Sequence, residues 1–161
     1  SSPQHIRLHD WLLDFADEFS RSGLCTAERI SMSVEPADLE AYMDPSQLHQ
    51  VLWNLCQNAM HHGEGDAPVN IRLEASCNEA SGAPQLDILD NGKGIQPEMV
   101  DQIFEPFFTT RSSGTGLGLY IAREICESNQ ARLSYHLAPK GGSCFRIVFP
   151  DSSARGISSI A

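Results

Sequence analysis

Basic residues are scarce in this 161-residue sequence. Lys and Arg together number 11, against 21 Asp and Glu, which gives a formal net charge of −10. Lys93 and Lys140 are the only lysines. Because binding to a nucleic acid backbone requires clustered Lys and Arg, this balance excludes nucleic acid as the main partner.

The sequence also lacks long apolar runs and metal-binding spacings. No apolar run approaches the roughly 20 residues of a membrane span, and no stretch has the pattern of a signal peptide. The six histidines show no H-E-x-x-H or comparable spacing, so a structural zinc site is not expected. The five cysteines include no C-x-x-C pair, which is typical of reduced thiols in a cytoplasmic protein. From the abrupt opening, SSPQHIRLHDW, we expect a piece of a longer protein.

The periodicity of apolar residues predicts an α+β fold. Helical spacing predicts helices near residues 9–23, 44–63, 96–104 and 117–128. Alternation predicts strands near 29–34, 39–43, 69–75, 85–90, 131–137 and 143–149. This order favours a two-layer α/β sandwich, with a mixed, mostly antiparallel sheet covered by helices on one face, over a doubly wound parallel sheet. We expect one domain over residues 1–150 and a disordered tail over 151–161.

The helix that follows Asp44 has two chemically different faces. Asp44 suits the N-cap and Gln47 completes a capping-box pattern. One face is apolar and comprises Leu48, Val51, Leu52, Leu55 and Ala59. The opposite face carries Gln50, Asn54, Asn58 and His61. Two asparagines at i and i+4 either form a solvated polar face or present side-chain oxygens that ligate a hard cation such as Mg²⁺.

Two further stretches are candidates for a nucleotide site. In LDILDNGKGI a strand ends at Asp90 and a glycine-rich turn follows, which is either an ordinary turn or a floor for a base. In IFEPFFTTRSSGTGLGL the phenylalanines include expected core residues, and residues 109–113 resemble a mobile lid in which Arg111 reaches a terminal phosphate. The following G-x-G-x-G opens a helix; it is either a flexible loop or a phosphate site. It matches neither a G-x-G-x-x-G loop nor a Walker A loop.

These stretches, in this order, resemble the N, G1, F and G2 boxes of the catalytic ATP-binding domain of sensor histidine kinases. That domain belongs to a superfamily shared with DNA gyrase, Hsp90 and MutL, and its structure is called the Bergerat fold. The resemblance covers about residues 6–150. The wording EPFFTTR is similar to that of nitrogen-regulation and type IV pilus sensor kinases.

The resemblance implies roles for residues at both ends of an ATP site. Asn54 and Asn58 correspond to asparagines near Mg²⁺ and the phosphates. His61 stands where many members have a basic phosphate contact, and His62 stands where an aromatic residue borders the ribose and adenine. Asp90 corresponds to the aspartate that accepts a hydrogen bond from the adenine amine.

Glycine-rich segments complete the site that the resemblance implies. The base pocket is lined by Gly92, Gly94 and Ile95. Thr110 and Arg111 begin the ATP lid. Backbone contacts to the phosphates come from Gly114, Thr115, Gly116, Leu117 and Gly118. We expect Asn54, His61 and Arg111 to serve the transfer step itself.

One position bears on the type of reaction. The resemblance places Asn54 where ATP-hydrolysing relatives carry a general-base Glu, and an amide cannot take a proton from water. This favours phosphotransfer to a histidine over ATP hydrolysis. His9 has no following Pro and lies inside the first predicted helix, so the acceptor histidine is expected on a separate dimerisation and phosphoacceptor domain. A response regulator is the next partner in the relay.

Other readings stay open. An anti-sigma-factor serine kinase of the same superfamily, or a non-catalytic nucleotide-binding module, shares the motifs.

We expect a monomeric fragment in the cytoplasm, from a homodimeric and membrane-anchored parent. Many relatives carry Gly-Gly after the last box, whereas this chain has SNQAR, where we expect Asn129 to take the left-handed cap conformation.

Overall fold

The computed structural model describes residues 2–61, 67–109 and 116–151. The described helices are α1 (Leu8–Arg21), α2 (Pro45–His61) and α3 (Gly118–Ser128). The described strands are β1 (Gln4–Arg7), β2 (Ile30–Val34), β3 (Glu40–Met43), β4 (Ile71–Cys77), β5 (Pro84–Asp90), β6 (Arg132–Leu137) and β7 (Ser143–Val148). In this part of the chain, no helix has the length and apolarity required to cross a membrane. The expected tail falls almost wholly outside these ranges.

Five strands form one mixed sheet in the order β2-β4-β5-β7-β6. The β2–β4 pair is parallel, and the other three pairs are antiparallel. The three helices and one face of the sheet enclose a single apolar core. The predicted α+β sandwich, with its mixed and mostly antiparallel sheet, is therefore confirmed.

Helical periodicity accounts for the core. On α1, the residues Leu8, Leu12, Phe15 and Phe19 are buried at turn-by-turn spacing. On α2, the predicted apolar face is buried throughout, joined by Cys56. Each large side chain removed from water in this way contributes about 1.5–3 kcal/mol to the free energy of folding. The face of α2 that carries Asn54 and Asn58 therefore points away from the core.

Strand pairing differs from what local patterns show. The strand β1 was not predicted, and it pairs with β3 in a separate two-stranded antiparallel sheet. The neighbouring strands β2 and β3 lie in different sheets, and β2 instead runs parallel to β4. The strand β1 buries only one of its four residues, so it shows no alternation and its pairing with β3 defines it.

The helix predicted over residues 96–104 is wrong. Only a 3₁₀ turn at Pro97–Met99 forms there, followed by further turns. Successive backbone hydrogen bonds join residues that are three apart in sequence. The Gln102 N–H donates to the Met99 carbonyl at 2.9 Å, and the Glu105 N–H donates to the Gln102 carbonyl at 3.0 Å. Such closure turns the chain tightly and lets it bury Ile103 and Phe104 without a regular helix.

The helix ends contain one confirmed prediction and two errors. Asp44 Oδ1 accepts the N–H groups of Ser46 at 2.9 Å and Gln47 at 3.2 Å, as an N-cap should. The Gln47 side chain does not complete a capping box, because its Oε1 accepts a bond from Asn129 at 2.7 Å. Asn129 has a φ of −102°, and the left-handed position is taken by Gln130, at a φ of 58°.

Candidate nucleotide-binding site

A cleft of about 930 Å³ lies between α2, the start of α3 and the turn that follows β5. Eight of the predicted site residues line it: Asn54, Asn58, His61, Gly94, Ile95, Gly116, Leu117 and Gly118. The predicted Asp90 and Gly92 are described but are not among the residues that line the cleft. The predicted His62, Thr110, Arg111, Gly114 and Thr115 lie outside the described residues.

The polar face of α2 forms one wall of the cleft. Asn54 and Asn58 are half-buried, and His61 is exposed at the last residue of the helix. Asn54 Nδ2 donates to the Gly118 carbonyl at 3.4 Å. This bond fixes which end of the Asn54 amide is the oxygen, and it joins α2 to the first residue of α3. Sequence positions 64 residues apart therefore meet at one end of the cleft.

Asp90 ends β5, and only 6% of it is exposed. Its Oδ1 accepts the N–H of Gly92 at 2.9 Å and the N–H of Ser143 at 3.4 Å. Burial raises the pKa of the Asp90 carboxyl above its ordinary value, and the two N–H donors act in the opposite direction. The carboxyl is therefore held in place by backbone donors while its charge is partly desolvated.

The turn after Asp90 is held by the β6–β7 hairpin, which sequence reasoning did not place in the site. The Ile95 N–H donates to Tyr135 Oη at 2.8 Å. Gly142 has a φ of 90°, and a Cβ there would overlap the carbonyl oxygen of Asp90. The pair Gly141-Gly142 was the available signal, but it also suits an ordinary turn between strands. Only the folded hairpin shows that Gly142 is needed for close approach.

Gly116 closes the other end of the cleft against the preceding segment. It has a φ of 74°, and its carbonyl accepts the N–H of Phe107 at 2.9 Å. A Cβ on Gly116 would overlap the backbone of Phe107, whereas one on Gly118 would meet nothing within 4 Å. The two positions therefore differ in their need for glycine. Gly116 requires glycine for its positive φ and for the close approach of Phe107, whereas Gly118 leaves open space at the start of α3.

The segment from Phe104 to Phe108 contributes residues to both the core and the cleft. Phe104 is buried and the Arg123 guanidinium lies 4.8 Å above its ring. Phe108 is half-buried and lines the cleft. Phe107 is 73% exposed with a φ of 69°, so it is not one of the core residues expected in this segment.

Several lining residues were not predicted. Among them are the apolar residues Met99, Ile103, Ile121 and Leu137 and the charged residue Lys93. The first two were assigned to a helix that does not form, so their alternation carried no sign of a cleft. Lys93 stands between two glycines already assigned to the site, and that position was the available signal.

The donor set of the cleft fits Mg²⁺ better than a transition metal. Within the described ranges, no group of three or more His, Cys, Asp or Glu is placed to hold a metal ion. The cleft instead offers the side-chain amide oxygens of Asn54 and Asn58. Mg²⁺ takes oxygen ligands and keeps several waters, so one or two protein oxygens beside substrate phosphates suffice.

The fold and cleft together define an α+β domain of the nucleotide-binding class. Residues 43–153 match the family described as histidine kinase-, DNA gyrase B- and HSP90-like ATPase. The chain belongs to that family, and within it the chain is a histidine kinase catalytic domain. The predicted family resemblance is confirmed.

Individual relatives support the assignment. The chain is 42% identical over 154 residues to the sensor protein kinase PilS of Pseudomonas aeruginosa, covering 92% of this chain and 28% of that protein. It is 31% identical over 147 residues to the sensor histidine kinase ZraS of Klebsiella oxytoca, covering 91% of this chain and 31% of that protein. The chain thus spans less than a third of either relative.

A solved structure shows the same fold. The catalytic domain of the histidine kinase ThkA, in a nucleotide-free form, superposes with a TM-score of 0.75 at 24% identity. The superposition covers 94% of this chain and 99% of that domain.

Proposed function

We propose that this domain binds Mg·ATP in the cleft and donates the γ-phosphate to a histidine on a separate dimerisation and phosphoacceptor domain. The proposal rests on one observation, which is that α2 and α3 face each other across the cleft. The amide face of α2 lies opposite the glycine-opened start of α3, and Asn54 bonds to Gly118 across the gap. The phosphoryl group then passes to a response regulator.

Asp90 is the proposed adenine-binding residue. The backbone donors of Gly92 and Ser143 fix its carboxylate, which can accept a hydrogen bond from an exocyclic amine. Gly92, Gly94 and Ile95 form the surrounding base pocket, and His62 borders the ribose and adenine. Since a bond to a charged acceptor is worth about 1.5–3 kcal/mol, this single contact discriminates between an amine and a carbonyl on the base.

The phosphates are proposed to lie between the two helices. Backbone N–H groups at a helix N-terminus bind anions, and we assign this role to Gly114, Thr115, Gly116, Leu117 and Gly118. Arg111 and Thr110 contact the phosphates from the lid, and His61 contacts them from the end of α2. Asn54 and Asn58 would hold Mg²⁺, which neutralises phosphate charge during transfer.

The chain itself favours transfer to another residue over hydrolysis. The family resemblance implies that Asn54 stands where ATP-hydrolysing relatives carry a general base, and its amide nitrogen donates to the Gly118 carbonyl. An amide does not remove a proton from water, so water is left unactivated. His9 lies on the exposed surface of α1 beside Asp10, at 3.4 Å, and we propose no acceptor role for it.

The parent protein is proposed to be a membrane-anchored homodimer that places this domain in the cytoplasm. Alone, the domain is proposed to be monomeric. The two relatives are named as sensor kinases, and the chain covers less than a third of each.

The test uses radiolabelled ATP with Mg²⁺, this domain and purified helical acceptor fragments. We expect acid-labile label on a histidine of one fragment, and calorimetry should show binding of ATP that depends on Mg²⁺. The variant Asn58→Ala, which removes a cleft amide, should lose both. Acid-stable label on serine would instead identify a serine kinase, and the absence of any Mg²⁺-dependent ATP binding would identify a non-catalytic module.

A further inference from the structure

Asn129 lies just beyond α3, and its side chain makes hydrogen bonds to both α2 and α3. Only 5% of the residue is exposed. Its Oδ1 accepts the N–H of Asp44 at 3.3 Å. Its Nδ2 donates to Gln47 Oε1 at 2.7 Å and to the Ile125 carbonyl at 2.9 Å. One amide therefore links the last turn of α3 to the first turn of α2.

Asp44 extends this link to the N-terminal segment. Its Oδ1 caps α2, and its Oδ2 accepts the N–H of Ser2 at 2.6 Å. Ser2 precedes β1, which pairs with β3 just ahead of α2. The start of α2 is therefore held by two segments that are far from it in sequence, at Ser2 and at Asn129. Buried amides of this kind fix one arrangement, because any other would leave their polar atoms unpaired.

A second link joins the same two helices at the cleft. Asn54 lies about 15 Å along α2 from Asp44, and Gly118 lies about 16 Å along α3 from Asn129, at about 1.5 Å per residue. There, Asn54 Nδ2 bonds to the Gly118 carbonyl at 3.4 Å. The helices are thus fastened at two points roughly 15 Å apart. The helices also pack against each other in the core, and we expect the loss of one bonded point to shift their relative position.

We propose that Asn129 is a positioning residue that sets the spacing of α2 and α3 at the phosphate end of the cleft. The inference rests on the proposed binding of Mg·ATP. Releasing the Asn129 link changes the position of Asn54 and Asn58 relative to the glycines that open α3. Phosphate and Mg²⁺ contacts depend on that spacing, and displacements of about 1 Å are enough to weaken them strongly.

The base pocket has separate supports. Asp90 is held by the N–H groups of Gly92 and Ser143, and the turn at Ile95 is held by Tyr135. These contacts belong to the sheet and its β6–β7 hairpin, not to the helix pair. A change at Asn129 should therefore weaken binding of phosphate-bearing ligands and leave binding of adenosine unchanged.

The variants are Asn129→Ala and Gln47→Ala, which break the same bond from either side. We expect each to lower the affinity for Mg·ATP about 2- to 30-fold, measured by calorimetry, with adenosine affinity unchanged by ligand-observed NMR. The double variant should lose less than the product of the two single losses, because both remove one link. Thermal unfolding of each variant establishes that it is folded at the assay temperature.

Asp87→Asn is the matched control for lost stability. It removes the charge and one of the two oxygens that accept from Arg146 at 2.8 and 3.0 Å across β5 and β7, on the sheet face away from the helices. We expect it to lower the unfolding temperature and keep wild-type affinity for Mg·ATP. If that control lost affinity in the same way, loss of stability alone would explain the effect and the inference would be wrong.

The outcomes separate the inference from the proposed function. Equal affinity of the wild type and both variants for Mg·ATP overturns the positioning role and leaves the proposed function intact. An equal loss of adenosine affinity also overturns it, since the effect would then be general. A wild-type domain that binds no Mg·ATP overturns the proposed function, and the inference with it.

Discussion

Asp90, the proposed adenine-binding residue, carries a cost to folding. Its carboxyl is almost wholly removed from water, and burial raises its pKa above the ordinary value. The ionised form is therefore less favourable in the folded state than in the unfolded one at neutral pH. Two backbone N–H groups offset part of this cost. A carboxylate kept in such a place has a use that an amide cannot supply.

We predict that Asp90→Asn raises the free energy of unfolding at pH 7 and lowers affinity for ATP. Because the folded-state pKa is raised, the stability that protonated Asp90 contributes at low pH is lost as pH rises through that pKa, and the amide avoids this loss. Losing the charged acceptor should reduce ATP affinity about 10- to 100-fold. Urea unfolding and calorimetry measure the two effects.

Binding of the nucleotide ITP tests whether the loss of ATP affinity comes from the contact with the adenine amine. Its base carries a carbonyl in place of the adenine amine, and the side-chain amide that the substitution introduces at this position would donate to that carbonyl. We expect the variant to discriminate less against ITP than the wild type does. A variant that is less stable at pH 7, or that keeps full ATP affinity, would contradict the proposed role.

At the scale of elements, α2 and α3 each contribute residues to both the core and the cleft. The apolar face of α2 is buried throughout, and its amide face lines the cleft. At its start, α3 presents glycines to the same space, and its buried residues Ala122 and Cys126 are small. Small side chains permit close packing of the two helices, and the hydrogen bonds of Asn129 and Asn54 join them near either end.

We predict that Gly116→Ala lowers affinity for ATP by about 10-fold, because a Cβ would push against the Phe107 backbone and displace the start of α3. Gly23→Ala is the matched control. Gly23 has a similar positive φ of 87°, with nothing within 4 Å of an added Cβ. Both variants should lose about 1 kcal/mol of stability from the φ alone. Affinity that is equal in the two variants would exclude the proposed role of Gly116.

We also predict a defined pH dependence at the start of α2. The Ser46 hydroxyl, followed by the Ser2 N–H, lowers the pKa of Asp44 to about 2. Because the folded-state pKa lies below the unfolded value of about 3.9, the stabilisation is present above about pH 4 and lost as pH falls toward about 2. Asp44→Asn keeps a capping oxygen but lacks the charge. Denaturant unfolding should show the wild-type advantage at neutral pH shrinking below about pH 4; a constant difference would contradict this.

At the scale of the molecule, an acidic domain is proposed to bind an anionic nucleotide. Its net charge of −10 gives no general attraction for phosphate. Binding must therefore come from local groups: backbone N–H donors at the start of α3, amide oxygens through Mg²⁺, and the few cations at the cleft, such as Lys93. The sheet supplies the base pocket and the helices supply the phosphate end.

We predict that the domain alone turns over ATP slowly. A general base contributes about 10²–10⁴ to the rate of a proton-transfer step, and Asn54 supplies none. An acceptor fragment should yield phosphorylated protein faster than free phosphate appears. A phosphate-release assay measures this, with Asn58→Ala as the baseline for contaminating ATPases. Rapid release by the wild type that is lost in Asn58→Ala would contradict the absence of a base.

Much of the site was accessible from the sequence, because its residues occur in short local patterns. The two faces of α2 follow from spacing within single turns, and Asn54, Asn58 and His61 do line the cleft. The helix proposed over 96–104 shows the limit of such patterns. Ile103 and Phe104 are buried there, but their packing required turns that local spacing does not encode.

The sequence by itself determined the elements whose stability comes from neighbours within about four residues: the helices, the cap at Asp44 and the glycine positions. The tertiary structure alone decided the contacts between distant segments. These are β1 with β3, Gly142 against Asp90, and Asn129 with Asp44 and Gln47. Such contacts form only when the whole core brings the segments together, because no local preference favours them and each requires a close approach that the rest of the fold must impose.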